Sequence, residues 1–216
     1  MSGMSVVKYQ PKRKSDTQSA IDAYNEIVPP MDFSFCRIVN IADATEEEPR
    51  PPPPSPRKQQ QQQHEDDQSS KSSGKCLKLN NNSITNLECL IPFAQEKFAD
   101  WQCIAWIDFS HNELAKLGPE LTEFVNLRIL YLHGNQIQDP AQIDQLIPLK
   151  NLRKLTLHGN PLERINGYRW LILSKLPQLN SLDFSAATKA DRVTTRTWDK
   201  MNCWGAKKKK KQVEED

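Results

Sequence analysis

Residues Asn126–Asn160 read NLRILYLHGNQIQDPAQIDQLIPLKNLRKLTLHGN. The pattern L-x-x-L-x-L-x-x-N-x-[L/I] runs through this stretch once in full and then begins again. Leu127, Leu130, Leu132, Asn135 and Ile137 fill one copy, and Leu152, Leu155, Leu157, Asn160 and Leu162 fill the next. Self-similarity at a fixed period outranks any local helix or strand reading. Each unit of such an array is too small to bury its own apolar face and must stack on its neighbours.

Working outward from this pair, Ile104, Ile107, Phe109, Asn112 and Leu114 make a full upstream copy. Leu77, Leu79, Asn82 and Ile84 make a shortened first one, with Gly74 at the leading leucine position. Downstream, Leu179, Leu182 and Phe184 start a fifth copy, in which Ala187 replaces the asparagine and the series stops. The asparagines fall at Asn82, Asn112, Asn135 and Asn160, spaced by 30, 23 and 25 residues. The long first interval predicts a bulge or extra helical turn at Phe93–Asp100 on the convex side. The x-L-x-L-x piece of each copy reads as a short strand in parallel pairing, its leucines inward and its x residues on the concave face. The asparagine turns the chain away from the strand, and its amide can satisfy backbone groups that would otherwise be buried unpaired.

The flanks read differently. Met1–Ser19 is polar and basic. Ala20–Val28 has helical spacing and is stopped by Pro29-Pro30. Met31–Ile41 (MDFSFCRIVNI) alternates as an extended segment, read either as a cover for the open edge of the first repeat or as a loosely held arm. Thr45–Ser73, with four prolines at 51–54 and five glutamines at 59–63, has nothing to bury and reads as a linker. A proline run of this kind also suits an SH3 or WW groove. Gly167–Lys175 is a helix presenting Tyr168, Leu171, Ile172 and Leu176 inward, ended by Pro177. Thr188 with Asp191 makes a capping-box-like start to a terminal helix. On that helix Val193, Thr197, Met201 and Trp204, with Trp198 beside them, form a stripe expected to seal the last repeat, the alternative being a free partner-binding face. Lys207–Lys211 is a run of five lysines. The expected organisation is an arm or cap over 1–44, a linker over 45–73, the repeat array over 74–188, a capping helix over 189–204 and a charged tail over 205–216.

Composition limits function. Hydrophobic content is 37%, low for one globular domain of this length, and the shortfall sits in the linker. The net charge of +2 provides no global field to select nucleic acid. Five cysteines without a CxxC pair argue for a reducing compartment. The N-terminus lacks the apolar run of a signal peptide, and no stretch reaches the ~18 apolar residues of a membrane span. A cytoplasmic location follows as the expectation. Gly-rich phosphate loops, HExxH and G-x-S-x-G are missing, so no enzyme activity, cofactor or small-molecule substrate is expected. The lysine run reads as a solubilising tail, an import signal or a contact for a polyanion such as a microtubule surface.

The concave face is therefore where a partner protein is expected. The register predicts three outward columns: Cys76, Trp106, Ile129, Lys154 and Ser181; then Lys78, Asp108, Tyr131, Thr156 and Asp183; then Asn80, Ser110, His133, His158 and Ser185. Trp106, Ile129 and Tyr131 fall side by side, and Trp and Tyr are enriched at binding hot spots. Lys78, Asp108, Lys154 and His133 would form a polar rim, with His158 beside His133. The chain's own N-terminal arm is the competing cover. His133 and His158 lie at matching places on neighbouring strands, roughly 4.8 Å apart. A metal would need further ligands, and polar contact with the turn is the simpler reading.

The motifs LYLHGN and LTLHGNPL, closing in GYR…LPQLNSLD over Asn160–Asp183, resemble the SDS22-like leucine-rich repeats with their C-terminal cap. A narrower likeness to small members of this family rests on AWIDFSHNEL (Ala105–Leu114), the paired LHGN strands, LDFSAATKADRVTTRTWDKMN (Leu182–Asn202) and MDFSF. The resemblance implies an α/β leucine-rich-repeat solenoid with a parallel concave sheet of about five strands, a helical or irregular convex side and a capping helix. It further implies a non-enzymatic cytoplasmic scaffold, associated with cilia or the axoneme, that binds protein partners. A regulatory subunit directing an enzyme such as a phosphatase is the alternative. The proline/glutamine insert and the lysine run inherit no meaning from it.

Overall fold

A computed structural model of the chain describes residues 28–52 and 71–213, with side chains through Met201. The helix expected at Ala20–Val28, all but its last residue, lies outside these residues, as do the middle of the proline/glutamine segment and the last three residues of the tail.

Seven short strands form one sheet in chain order. They are β1 (Met31–Asp32), β2 (Cys76–Lys78), β3 (Trp106–Asp108), β4 (Ile129–Tyr131), β5 (Lys154–Thr156), β6 (Ser181–Leu182) and β7 (Ser185–Ala186). Pairing is parallel from β1 to β6 and antiparallel only between β6 and β7. The register aligns Cys76, Trp106, Ile129, Lys154 and Ser181 across the sheet. The consensus residues Leu77, Ile107, Leu130, Leu155 and Leu182 all point into one continuous core.

The asparagines do what a turn residue in a stacked array must do. Asn112, Asn135 and Asn160 each accept through Oδ1, at 3.0 Å, the backbone N–H of Ile84, Leu114 and Ile137 in the preceding repeat. Each Nδ2 also donates to a carbonyl of its own repeat and to one of the repeat before: for Asn135, Leu132 at 3.0 Å and Phe109 at 2.9 Å. These three side chains are buried, so their hydrogen bonds bind successive repeats together in a medium without competing water. Asn82 makes the same bonds to the N-terminal arm, accepting from Ile38 N–H at 3.1 Å and donating to Phe33 O at 2.9 Å. The arm thus occupies the place of a preceding repeat. Phe33, Ile38, Ile41 and Ala44 are buried, and Phe33 meets the Phe93 ring edge-on at 5.3 Å.

Phe93 belongs to α1 (Leu90–Lys97), the extra helix in the long first interval. A short 3-10 turn at Trp101–Cys103 follows it, and the convex segments of the next three repeats are 3-10 turns at Pro119–Glu123, Pro140–Leu146 and Pro161–Arg164. Each of these three begins with proline, whose fixed φ and missing N–H suit a first helical turn. The expected linker is ordered at both described ends. Arg50 N–H donates to Asp32 O at 2.6 Å, and Ser72 bridges to the segment after α1, giving and taking backbone bonds at 2.9 Å with Lys97 and Ala99.

At the other end, α2 (Tyr168–Lys175) buries Ile172 and Leu173, with Leu171 only half-buried. The terminal helix α3 (Lys189–Val213) runs on through the lysine stretch instead of ending near Trp204. Lysine is a good helix former, and cations are favoured at a helix C-terminus. The stripe expected to seal the last repeat does not do so: Val193 and Met201 are both 63% exposed. The side of α3 that packs carries Asp191, Arg192, Thr195 and Trp198 instead, because polar anchors to α2 set its rotation.

Candidate functional site: the concave face

Parallel strands in strict register hold the outward side chains in rows at strand spacing. Trp106 and Tyr131 lie diagonally on β3 and β4 and meet edge-on, with ring centroids 5.6 Å apart. Tyr131 then meets Phe184 at 5.5 Å. A second row holds imidazoles. His133 stacks on His158 at 4.7 Å with planes within 8°, and His111 meets His133 edge-on at 5.1 Å. Phe184 lies over both His133 and His158, at 5.8 and 5.7 Å. One aromatic surface therefore crosses β3, β4, β5 and the turn after β6.

Ile129 departs from expectation. It is fully buried, not exposed beside Trp106 and Tyr131. It stands in register between Trp106 and Lys154, with Tyr131 two residues along on the same face. The short aliphatic chain lies below the reach of these longer neighbours and forms a floor between them. Cys76 and Thr156 are likewise buried within their columns. Burial pushes the Cys76 thiol well above its ordinary range, which leaves it a small apolar group without reactivity.

The polar residues around the rings have assigned work. Asp108 accepts the backbone N–H of Ser110 at 2.9 Å and its hydroxyl at 2.6 Å. Lys78 Nζ sits 3.5 Å from Asp32 and 6.0 Å from the Trp106 ring. Lys154 and Tyr131 are half-buried in their columns. His133 Nδ1 is 2.8 Å from Thr156 Oγ1, and His158 Nδ1 is 3.3 Å from Asp183 Oδ1. Burial lowers the His133 pKa, and the neighbouring His158 lowers it further. Trp106 Nε1 is buried and meets no acceptor among the described residues. No group of three or more His, Cys, Asp or Glu among them is placed to hold a metal.

Spacing puts one further ring, His111, one column over from His133 and His158 on the preceding repeat, and it misses a second, Phe184. His111, at φ +54°, packs its ring against Gly134, where a Cβ would lie 2.7 Å from its Nδ1. Gly134 itself has φ +68°, which makes the glycine of LHGN necessary twice over. Phe184 was aligned with the inward leucines Leu132 and Leu157, yet it is 64% exposed. Asp183 and Phe184 form a two-residue hairpin turn at φ +51° and +59°, reversing the chain from β6 into β7. Ser185 therefore pairs back with Leu182 and does not extend the third column. Asp183 holds the turn down: Oδ1 accepts the N–H groups of Leu157 at 2.7 Å and His158 at 3.0 Å, and Oδ2 accepts the Tyr168 hydroxyl at 2.9 Å. Only the lost asparagine at Ala187 hints at this ending.

Comparison with known proteins places this architecture. A leucine-rich-repeat family model matches residues 77–213. Human leucine-rich repeat-containing protein 51 is 42% identical over 174 residues, covering 81% of this chain and 86% of that one. The rat protein of the same name is 40% identical over 188 residues, covering 87% and 92%. Among solved structures, the Drosophila melanogaster SNF/U2A′ complex contains a chain that superposes with TM-score 0.50 at 22% identity, covering 57% of this chain and 67% of that one, a likeness of fold alone. The match over most of its length, on a sheet held together by the asparagines, shows that this chain belongs to the leucine-rich-repeat family.

Proposed function

We propose that the protein is a non-enzymatic adaptor whose concave face captures a protein partner, with Trp106, Tyr131 and Phe184 as anchors. The observation that carries this reading is the continuous aromatic run, Trp106 to Tyr131 at 5.6 Å and Tyr131 to Phe184 at 5.5 Å, ending in a ring 64% exposed. Phe184 keeps that position at a positive φ, where a bulky residue is strained by ~1–3 kcal/mol. Strain kept to present an apolar ring to solvent fits recognition better than stability. Ile129 supports the anchors as a floor. Lys78, Asp108, Lys154, His133 and His158 surround them with polar groups, as the rim of a binding face does. Leucine-rich-repeat proteins generally mediate protein–protein interaction, which agrees with this use of the face.

The finer reading is a cytoplasmic component of a ciliary or axonemal assembly. Proximity labelling from the tagged full chain in a ciliated cell, compared with Trp106→Ala/Tyr131→Ala and with Phe184→Ala, tests both levels. Axonemal proteins labelled by the parent and lost by at least about tenfold in the variants support the anchors and the location. Equal labelling by parent and variants removes the concave face from the function. A labelled set dominated by a phosphatase catalytic subunit, lost in the variants, keeps the face and replaces the structural role with a regulatory one.

A further inference from the structure

The rotation of α3 leaves a surface that the repeat array does not use. The helix is fastened to α2 along one side. Arg169 binds Asp191 at 3.1 Å, the Arg192 guanidinium donates to Leu179 O, Thr195 is buried, and Trp198 packs where a Cβ on Gly167 would lie 2.6 Å from its Nε1. Val193 and Met201 are on the other side, each 63% exposed, with Lys189, Arg196 and Lys200 exposed around them.

The helix is also far longer than its seat. Its 25 residues extend about 37 Å, against about 12 Å for the eight of α2. The part beyond contains the lysines at 207–211. Trp204 follows Met201 at the spacing of the same stripe, although its side chain lies outside those described. Charge is concentrated here. Residues 189–213 contain nine Lys or Arg and two Asp, a net +7, whereas the full chain is only +2. The remainder is therefore net acidic, by −5.

We propose that α3 is a membrane-surface helix that lies on anionic phospholipid, its lysines on the headgroups and Val193 and Met201 at the acyl boundary. A polyanionic protein would need the cations alone. Exposed apolar residues set among cations on one helix side suit an interface that has both an anionic and an apolar layer. Among the described residues no helix is long and apolar enough to cross a membrane, so the contact is a surface one.

The test is co-sedimentation of the full chain with vesicles of phosphatidylserine and phosphatidylcholine in equal parts, beside vesicles of phosphatidylcholine alone and beside a polyglutamate peptide. Binding only to the anionic vesicles is expected, weakened about 100-fold or more by replacing Lys207–Lys211 with glutamine. A loss of about tenfold is expected from Val193→Ser/Met201→Ser, with the melting temperature unchanged. Vesicle binding indifferent to Val193→Ser/Met201→Ser would reduce the helix to a general polyanion contact and overturn the proposal. Binding to polyglutamate but not to vesicles would overturn it in favour of an acidic protein. An early melt of the serine variant overturns it too, because it would mean that these residues pack against the fold.

Discussion

At the scale of single residues, the fold turns on a few polar side chains in an apolar core. Asn135 is the clearest case. Its amide closes three backbone groups of two repeats inside the core, and no apolar residue of similar size could replace those bonds. His133 illustrates the opposite tension, a titratable ring held where its charged form is disfavoured. It faces His158 and His111 as well as Asp108 and Asp183, and burial with the His158 neighbour holds its pKa below the ordinary 6.5. The unfolded chain therefore takes up this proton before the folded one does. Stability falls as pH drops below about 6.5 and levels off once pH passes below the depressed value. Denaturant midpoints across this range should show that slope, and His133→Asn should flatten it. An unchanged slope in the variant would assign the pH sensitivity elsewhere.

At the scale of elements, the junction between α2 and α3 depends on one carboxylate. Asp191 Oδ2 accepts the backbone N–H of Thr188 at 2.8 Å and its hydroxyl at 2.9 Å, while Asp191 N–H donates to Thr188 Oγ1 at 3.1 Å. The same carboxylate pairs with Arg169, and that pairing, helped by the Thr188 bonds, holds its pKa well below the usual carboxylate range. The reciprocal cap was legible from Thr188 and Asp191 three residues apart. The rotation of the helix was not, since apolar spacing pointed to the Val193 side and the Arg169, Arg192 and Trp198 contacts won. Gly167, at φ +78°, completes the joint by leaving room for Trp198. Asp191→Ala is expected to lower stability by about 1–2 kcal/mol. Thermal melting followed by helix signal checks this, and a loss below a few tenths of a kcal/mol would mean that the Arg192 and Trp198 contacts hold α3 without the Asp191 carboxylate.

At the scale of the molecule, a repeat array is only as stable as its ends. The C-terminal end is closed by the β6–β7 hairpin with α2 and α3. The N-terminal end is closed by the arm, whose Phe33 is fully buried against Phe93 and whose carbonyl takes the Asn82 amide. Phe33→Ala is expected to cost about 3–5 kcal/mol, as for other large-to-small core changes. Chemical denaturation measures it, and a cost under about 1 kcal/mol would show that the first repeat closes without the arm.

The tripeptide Asp-Phe-Ser occurs three times, at Asp32–Ser34, Asp108–Ser110 and Asp183–Ser185. In the first two the aspartate caps its own serine and the phenylalanine is buried; in the third the phenylalanine is 64% exposed. Local residues are identical, so the difference lies in the neighbours. Phe33 N–H donates to Lys78 O at 2.8 Å and Phe109 N–H to Tyr131 O at 2.8 Å, each on the next parallel strand. After β6 there is, among the described residues, no further parallel strand and no asparagine to turn the chain, so it folds back on itself. The sequence by itself determined the period, the columns of the sheet from β2 to β5, the asparagine bonds and the helix cap, because each depends on spacing within a repeat. Tertiary structure alone decided that Ile129 is floor, that Phe184 faces outward and that Val193 and Met201 face solvent, because exposure depends on which neighbours arrive and how far they reach.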